Sequence, residues 1–317
     1  MSRFAHRCPP RGTLAVVSFT ILAAACSDTT PPPVAPRFDA TTEQIGTAAA
    51  PVRAPKGRIA FARGGEIFIM NADGSGEVQV TTGASADYPA LSPSGRQIAF
   101  TSYLNGPGDI YVVNTDGSGL TRLTSTTAYE DMPSWSPNGK QIAFASDRDG
   151  DWEIYVMNAS GSGVVPITSD PAFDFEPAWS PDGRRIAFTS ERAGGNRDIW
   201  VMNADGSNPM RLTTSVYGDA LAAWSPDGSR IAFTTERDGN AEIYVMNADG
   251  SAQTNLTMNA GSDWAPSWSP DRRQQKIAFQ SSRGGGDYEI FLMDADGSGQ
   301  TPLTSNSLDD AYPKWGK

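Results

Sequence analysis

Six short segments carry oxygen-bearing side chains at alternating positions: NADGSG from Asn71, NTDGSG from Asn114, NASGSG from Asn158, NADGSN from Asn203, NADGSA from Asn247 and DADGSG from Asp294. Carboxylates and amides followed by glycine are the opening of a calcium loop. A helix-flanked loop of that kind also needs a bidentate Glu at its twelfth position, which here is Thr82 in the first copy and Ser305 in the last. The central acid is Ser160 in the third copy, and the closing glycine is Asn208 in the fourth and Ala252 in the fifth. A lost carboxylate impairs a metal site, whereas Asx-Gly also makes the commonest short hairpin turn, which tolerates such changes. The spacing favours the turn. Nine positions always separate the first loop residue from an apolar residue that precedes Thr, from Asn71 to Val80 through Asp294 to Leu303. A hairpin needs such a fixed count, because a one-residue slip would turn its second strand inside out.

A second set of groups recurs with the same period. An acid stands five residues before each of five tryptophans, giving Glu130, Asp174, Asp219, Asp263 and Asp310, and Asp87 is its counterpart displaced by one position. Aromatics surround them: Tyr88, Tyr129, Phe173, Phe175, Tyr217, Trp264 and Tyr312, with Tyr103, Trp152 and Tyr288 in or beside nearby loops. Exposed rings in such a setting suit contact with a protein or a sugar. Enzymatic chemistry is poorly supplied. The sole histidine is His6 and the only cysteines are Cys8 and Cys26, all near the amino terminus, so the rest of the chain has no imidazole for acid–base work, no triad and no His or Cys metal ligands. Paired carboxylates could serve glycoside hydrolysis, but acids repeated in every unit read as architecture.

The elements that position these groups follow from the repeat. Ile-Ala-Phe recurs at Ile59, Ile98, Ile142, Ile186, Ile231 and Ile277, and Ser-Pro at Leu91–Pro93, Trp135–Pro137, Trp179–Pro181, Trp224–Pro226 and Trp268–Pro270. A period near 44 residues with four short apolar runs predicts all-β architecture: a six-bladed β-propeller of four-stranded antiparallel blades. Strand a ends in Trp-Ser-Pro, strand b is IAF plus two residues, strand c is EIYVMN or a variant, and strand d ends in Leu-Thr. The first unit begins at strand b, and AYPKWGK (Ala311–Lys317) resembles a lone strand a. The C-terminal strand is therefore expected to complete blade 1 and close the ring, which removes open edges. The regular a–b and c–d turns share one face, leaving the variable b–c and d–a loops on the other as the expected binding face. Strand a is innermost in a propeller, so its acids are expected to ring one mouth of the central channel, either capping turns through the backbone or attracting a cation or a Lys/Arg-bearing peptide.

The WSPDG, IAF, DIYVMNADG and Leu-Thr pattern resembles the repeats of TolB-like propellers over about residues 57–317. That family includes the periplasmic partner of the peptidoglycan-associated lipoprotein, so the resemblance implies a protein-binding scaffold rather than an enzyme. Similar repeats occur in sugar-acid lyases, which rely on histidine-rich metal centres that this sequence lacks, and in the propellers of prolyl peptidases. The amino-terminal domain of TolB is replaced here by a Pro-rich stretch.

Arg3, Arg7 and Arg11 precede the apolar run Leu14–Ala25, which has the length of an export signal, residues 1–25. LAAAC (Leu22–Cys26) resembles a bacterial lipobox, with Cys26 as the lipidated residue, and residues 26–56, with six prolines after Cys26, read as a disordered tether. Ser27 favours the outer membrane, with the domain facing periplasm or cell surface. Removal of the signal shifts the net charge from −11 to −14, which disfavours nucleic acid and anionic lipid. The expected function is capture of an envelope protein by a monomer without cofactor, leaving room for a divalent cation in the channel; the alternative is carbohydrate binding or carboxylate-dependent glycan processing.

Overall fold

Blade 3 shows how the repeat becomes structure. In the computed structural model, which describes residues 55–317, its strands a to d are Glu130–Trp135, Gln141–Ser146, Glu153–Asn158 and Val165–Pro166, hydrogen-bonded in that order and antiparallel. Five more sheets repeat this order, so the fold is the six-bladed propeller expected from the period. Strand d is shorter than the apolar run suggested, two residues in each blade. The export signal, Cys26 and the tether as far as residue 54 lie outside the described residues.

Strand b is apolar on both faces because blades stack on both sides of it. Ile142, Ala143 and Phe144 are fully buried, as are their counterparts in all five other blades. The alternation of large and small fits blade to blade: Ala99 of blade 2 packs with Trp135, Ile142, Phe144 and Tyr155 of blade 3. A fully buried Phe or Ile contributes about 1.5–3 kcal/mol, so this one strand position anchors each interface. Trp135 also donates its indole N–H across the interface to the Ala90 carbonyl at 3.1 Å.

Blade 1 is built from both ends of the described chain. Asp310–Gly316 supplies its strand a and pairs with Arg58–Arg63, placing Trp315 opposite Ile59 as Trp135 lies opposite Ile142. Trp315 donates its indole N–H to the Lys56 carbonyl at 3.0 Å, which ties the residues just before strand b to the closing strand.

The NADGSG segments are c–d turns. Asn71 N–H donates to Ser75 O at 2.8 Å and Gly74 N–H to Asn71 O at 2.9 Å, while Asp73 Oδ1 accepts from Ser75 N–H at 3.0 Å and Ser75 Oγ at 2.6 Å. The serine donors hold this carboxylate, and those of Asp116, Asp205, Asp249 and Asp296, below the usual range. In the copy without the acid, Ser160 and Ser162 bond hydroxyl to hydroxyl at 2.9 Å. Two positions adopt left-handed backbone: Gly74, at φ +84°, and the closing residue, where Asn208 and Ala252 accept φ near +55° in place of glycine. Beyond the turn, the fixed count of nine delivers Val80 N–H to Ile67 O at 2.7 Å, and the same bond forms in every blade.

The faces divide as expected. Ala159 N–H of a c–d turn donates to Lys140 O of an a–b turn, whereas Glu191 N–H of a b–c loop donates to Phe173 O of a d–a loop.

Candidate functional site

The strand-a acids do not ring a channel mouth. Glu130, Asp174, Asp219, Asp263 and Asp310 have no solvent exposure, and each is paired with an arginine: Arg148, Arg192, Arg237, Arg283 and Arg63, respectively. One terminal nitrogen of Arg237 donates to both Asp219 oxygens, at 3.0 and 3.1 Å. Each guanidinium lies over the aromatic rings of strands b and c, as Arg148 does over Tyr155 at 4.7 Å and Phe144 at 5.6 Å. The physical reason is desolvation: an acid sealed between blades needs a charge partner, and an arginine stacked on rings supplies it. A field that attracts cations is therefore cancelled at its source, which corrects the expectation for these five residues. Burial still pushes the Asp174 carboxyl up despite Arg192.

A second buried acid per blade escaped the sequence reading. The first residue of strand c is Glu66, Asp109, Glu153, Asp198, Glu242 or Glu289, and all but Glu66 are buried. The threonine that follows strand d holds the glutamates, while Asp109 and Asp198 are ion-paired with Arg122 and Arg211, each at 2.7 Å. Thr81 Oγ1 accepts from Ile67 N–H at 2.9 Å and donates to Glu66 at 2.7 Å, and Thr304 repeats this with Ile290 and Glu289 at 2.9 and 2.6 Å. Burial pushes Glu153 up to about 7. The recurring Leu-Thr was the signal for these sites.

Asp87 belongs to a different position from the other acids. Its register partner is Thr101, the blade-2 counterpart of Ala145 opposite Asp131, so Asp87 and Asp131 are equivalents. Asp131 accepts from Thr101 Oγ1 at 2.7 Å, Tyr103 OH at 2.9 Å and Met132 N–H at 2.8 Å; burial nonetheless raises it to about 6. Asp87 accepts from Tyr88 N–H at 3.0 Å, and burial raises it to about 7.

The channel itself is lined from the residue after these acids. Strand a breaks register with strand b at its middle in every blade. At that bulge Tyr88, Met132, Glu176, Leu221, Ala265 and Tyr312 all take left-handed backbone, with φ between +48° and +58°. Such a conformation is unfavourable for a residue with a Cβ and bends the strand, re-aiming its side chain. These six side chains, with Lys314, Pro133, Pro177 and Ala222, enclose the central cavity. Its water-accessible space is about 30 Å³, room for about two or three water molecules.

The aromatics fall into three groups. Tyr88 and Tyr312 meet in the channel with ring centroids 4.2 Å apart and a hydroxyl contact of 3.2 Å. Phe175 is buried beneath Arg197, which corrects its placement on the rim, and Trp264 is half-buried. Tyr129, Phe173 and Tyr217 stand exposed on the d–a loops of consecutive blades 3, 4 and 5, and half-buried Trp152 lies 6.0 Å from Tyr129. Val216, Met258 and Leu308 extend the apolar arc through blades 5, 6 and 1; Val216 is 85% exposed and Met258 78%. Among the described residues, no three acidic, His or Cys side chains come together as a metal site.

Residues 128–222 match the TolB beta propeller domain, and the chain superimposes on TolB from Acinetobacter baumannii with a TM-score of 0.72 at 27% identity. The repeats resemble those of TolB-like β-propellers. The chain is covered to 82% in that superposition and spans 66% of the Acinetobacter protein, just under two thirds of its length. The putative TolB from Agrobacterium tumefaciens aligns at 25% identity and a TM-score of 0.66, over 78% of this chain and 89% of that one. Residues 195–308 also match the tricorn protease N-terminal beta propeller domain. Oligogalacturonate lyase in complex with manganese shares the fold at 15% identity and a TM-score of 0.54, over 74% of this chain and 69% of the lyase. No curated protein matches by sequence.

Proposed function

We propose that this TolB-like propeller is a non-catalytic scaffold that captures a protein partner of the cell envelope through its b–c/d–a face, tethered to the outer membrane by a lipidated Cys26. The fold supports a scaffold or protein-binding role in general. The observation that carries the more specific reading is the apolar arc of Tyr129, Phe173, Tyr217 and their neighbours, held out to solvent by loops on a rigid ring. Exposed apolar side chains gathered on one face mark interaction surfaces, and aromatic residues dominate the energetics of protein interfaces. The five paired acids of strand a play no part in this reading, because their carboxylates already serve the blade interfaces.

Combined replacement of Tyr129, Phe173 and Tyr217 by Ser should lower crosslinking to envelope proteins at least tenfold while leaving the thermal midpoint within a few degrees of the parent. Undiminished crosslinking would remove the arc as the capture surface. Retention on a glycan array that is lost in the same variant would favour carbohydrate as the ligand of this face, because the Tyr129–Trp152 pair also offers flat rings for a sugar.

A further inference from the structure

The channel holds one lysine and one glutamate on opposite sides of the ring. At the position of Lys314, in blade 1, the other five blades carry Ala90, Ser134, Ala178, Ala223 and Ser267, so a single long side chain enters space that small ones leave free. Lys314 is surrounded by protein yet keeps some access to the channel, and no hydrogen bond or ion pair to its amine forms among the described residues. Glu176, in blade 4, is the only charged member of the bulge ring. Its Oε2 accepts from Thr189 Oγ1 at 2.6 Å and from Leu221 N–H at 2.8 Å, which fixes the side chain, and among the described residues no donor reaches Oε1. The remaining wall is apolar, from Met132, Leu221, Ala265 and the prolines, apart from the two tyrosines. Tyr88 donates to Tyr312, which leaves the Tyr312 hydroxyl proton available.

An ammonium and a carboxylate on facing sides of a narrow, otherwise apolar channel each favour a group of opposite charge. A molecule with opposite charges at its two ends meets both at once. We propose that the central channel binds a small zwitterion, a molecule bearing a carboxylate and an ammonium group, with the carboxylate on Lys314 Nζ and the ammonium on Glu176 Oε1. A lone cation would meet the Lys314 charge and a lone anion the Glu176 charge, whereas a zwitterion adds no net charge to a poorly solvated space. The narrow bore, with room for about two or three water molecules, favours a small ligand. Tyr312 is placed to donate to the carboxylate as a further contact. Burial lowers the affinity of Lys314 for its proton while Glu176 raises it, so a ligand carboxylate would favour the charged form of the lysine.

Two sources offer this chemistry, a free amino acid and a very short peptide. Calorimetric titration of the full-length protein with glycine, glycylglycine, acetate, methylamine and calcium separates them. Saturable binding of glycine supports the free amino acid, and binding of glycylglycine alone supports the peptide. Lys314→Met and Glu176→Gln should each weaken that binding at least tenfold with the thermal midpoint retained; Gln keeps an acceptor for Thr189 and Leu221. The proposal is overturned if neither zwitterion binds, if either binds both variants as tightly as the parent, or if acetate, methylamine or calcium alone binds as well. The arc of Tyr129, Phe173 and Tyr217 lies outside the channel, so partner capture and zwitterion binding can fail independently.

Discussion

At the scale of single residues, the strand-a acids show how burial decides what a charge can do. Glu130, Asp174 and Asp219 each find their arginine 18 residues further on. Blade 2 has Ala86 where the acid would be and Leu104 at the arginine's place, so both charges are absent together. That joint loss was legible in the sequence as a spacing, and it separates a structural pair from a ligand site. Asp219→Ala alone should cost about 3 kcal/mol in urea denaturation, since it strands Arg237 against Phe233 and Tyr244. Adding Arg237→Leu, which copies blade 2, should recover half of that or more; an additive loss would show that the two are not coupled. Asp87 behaves differently because it has no cationic partner. Its folded pKa, raised to about 7 from an ordinary 3.8, means that the native state holds the proton more tightly than the unfolded chain. Its contribution to stability is present below pH 4 and is lost as pH climbs toward and through 7. Asp87→Asn should therefore stabilise the protein more at pH 8 than at pH 5, by on the order of 1 kcal/mol or more. A pH-independent effect would contradict the burial of this carboxyl.

At the scale of elements, the strands and hairpins were legible because each rests on a local rule. The count of nine fixed the c–d register, and the incomplete first and last units foretold a shared blade 1. The bulge was hidden because the residues that adopt it, Tyr, Met, Glu, Leu, Ala and Tyr, have no common chemistry; only the proline that follows in five of six blades marks the place. The two-residue strand d was overestimated because the apolar Leu of Leu-Thr lies beyond the ladder and reaches back to strand c through a single bond. Closure depends on one element, the strand Asp310–Gly316. Trp315→Ala removes its inward packing against Ile59 and Phe61 and its bond to Lys56, and should cost about 3–5 kcal/mol in chemical denaturation. A loss below 1 kcal/mol would mean that the ring is held shut by other contacts.

At the scale of the whole molecule, the propeller separates its tasks by depth and by face. One face spends its polar groups on turns that brace adjacent blades, the other carries variable loops and exposed rings, and the interior holds the buried carboxylates of strands a and c. The choice of face was legible because loop variability is visible in a repeat. The chemistry of the bore was not, because the period points to the acids, whereas the bulge turns the following residue inward. The bulge also sets the bore apart from the apolar strands around it. Side chains there hang from a backbone already committed to its unusual turn in all six blades, and although Glu176 and the Tyr88–Tyr312 pair bridge neighbouring blades, the buried Ile-Ala-Phe strands lie further out. Each of the six positions can thus change identity as one digit of a dial while the casing stays the same, and a frame of this kind can acquire a new ligand by altering its innermost residues alone.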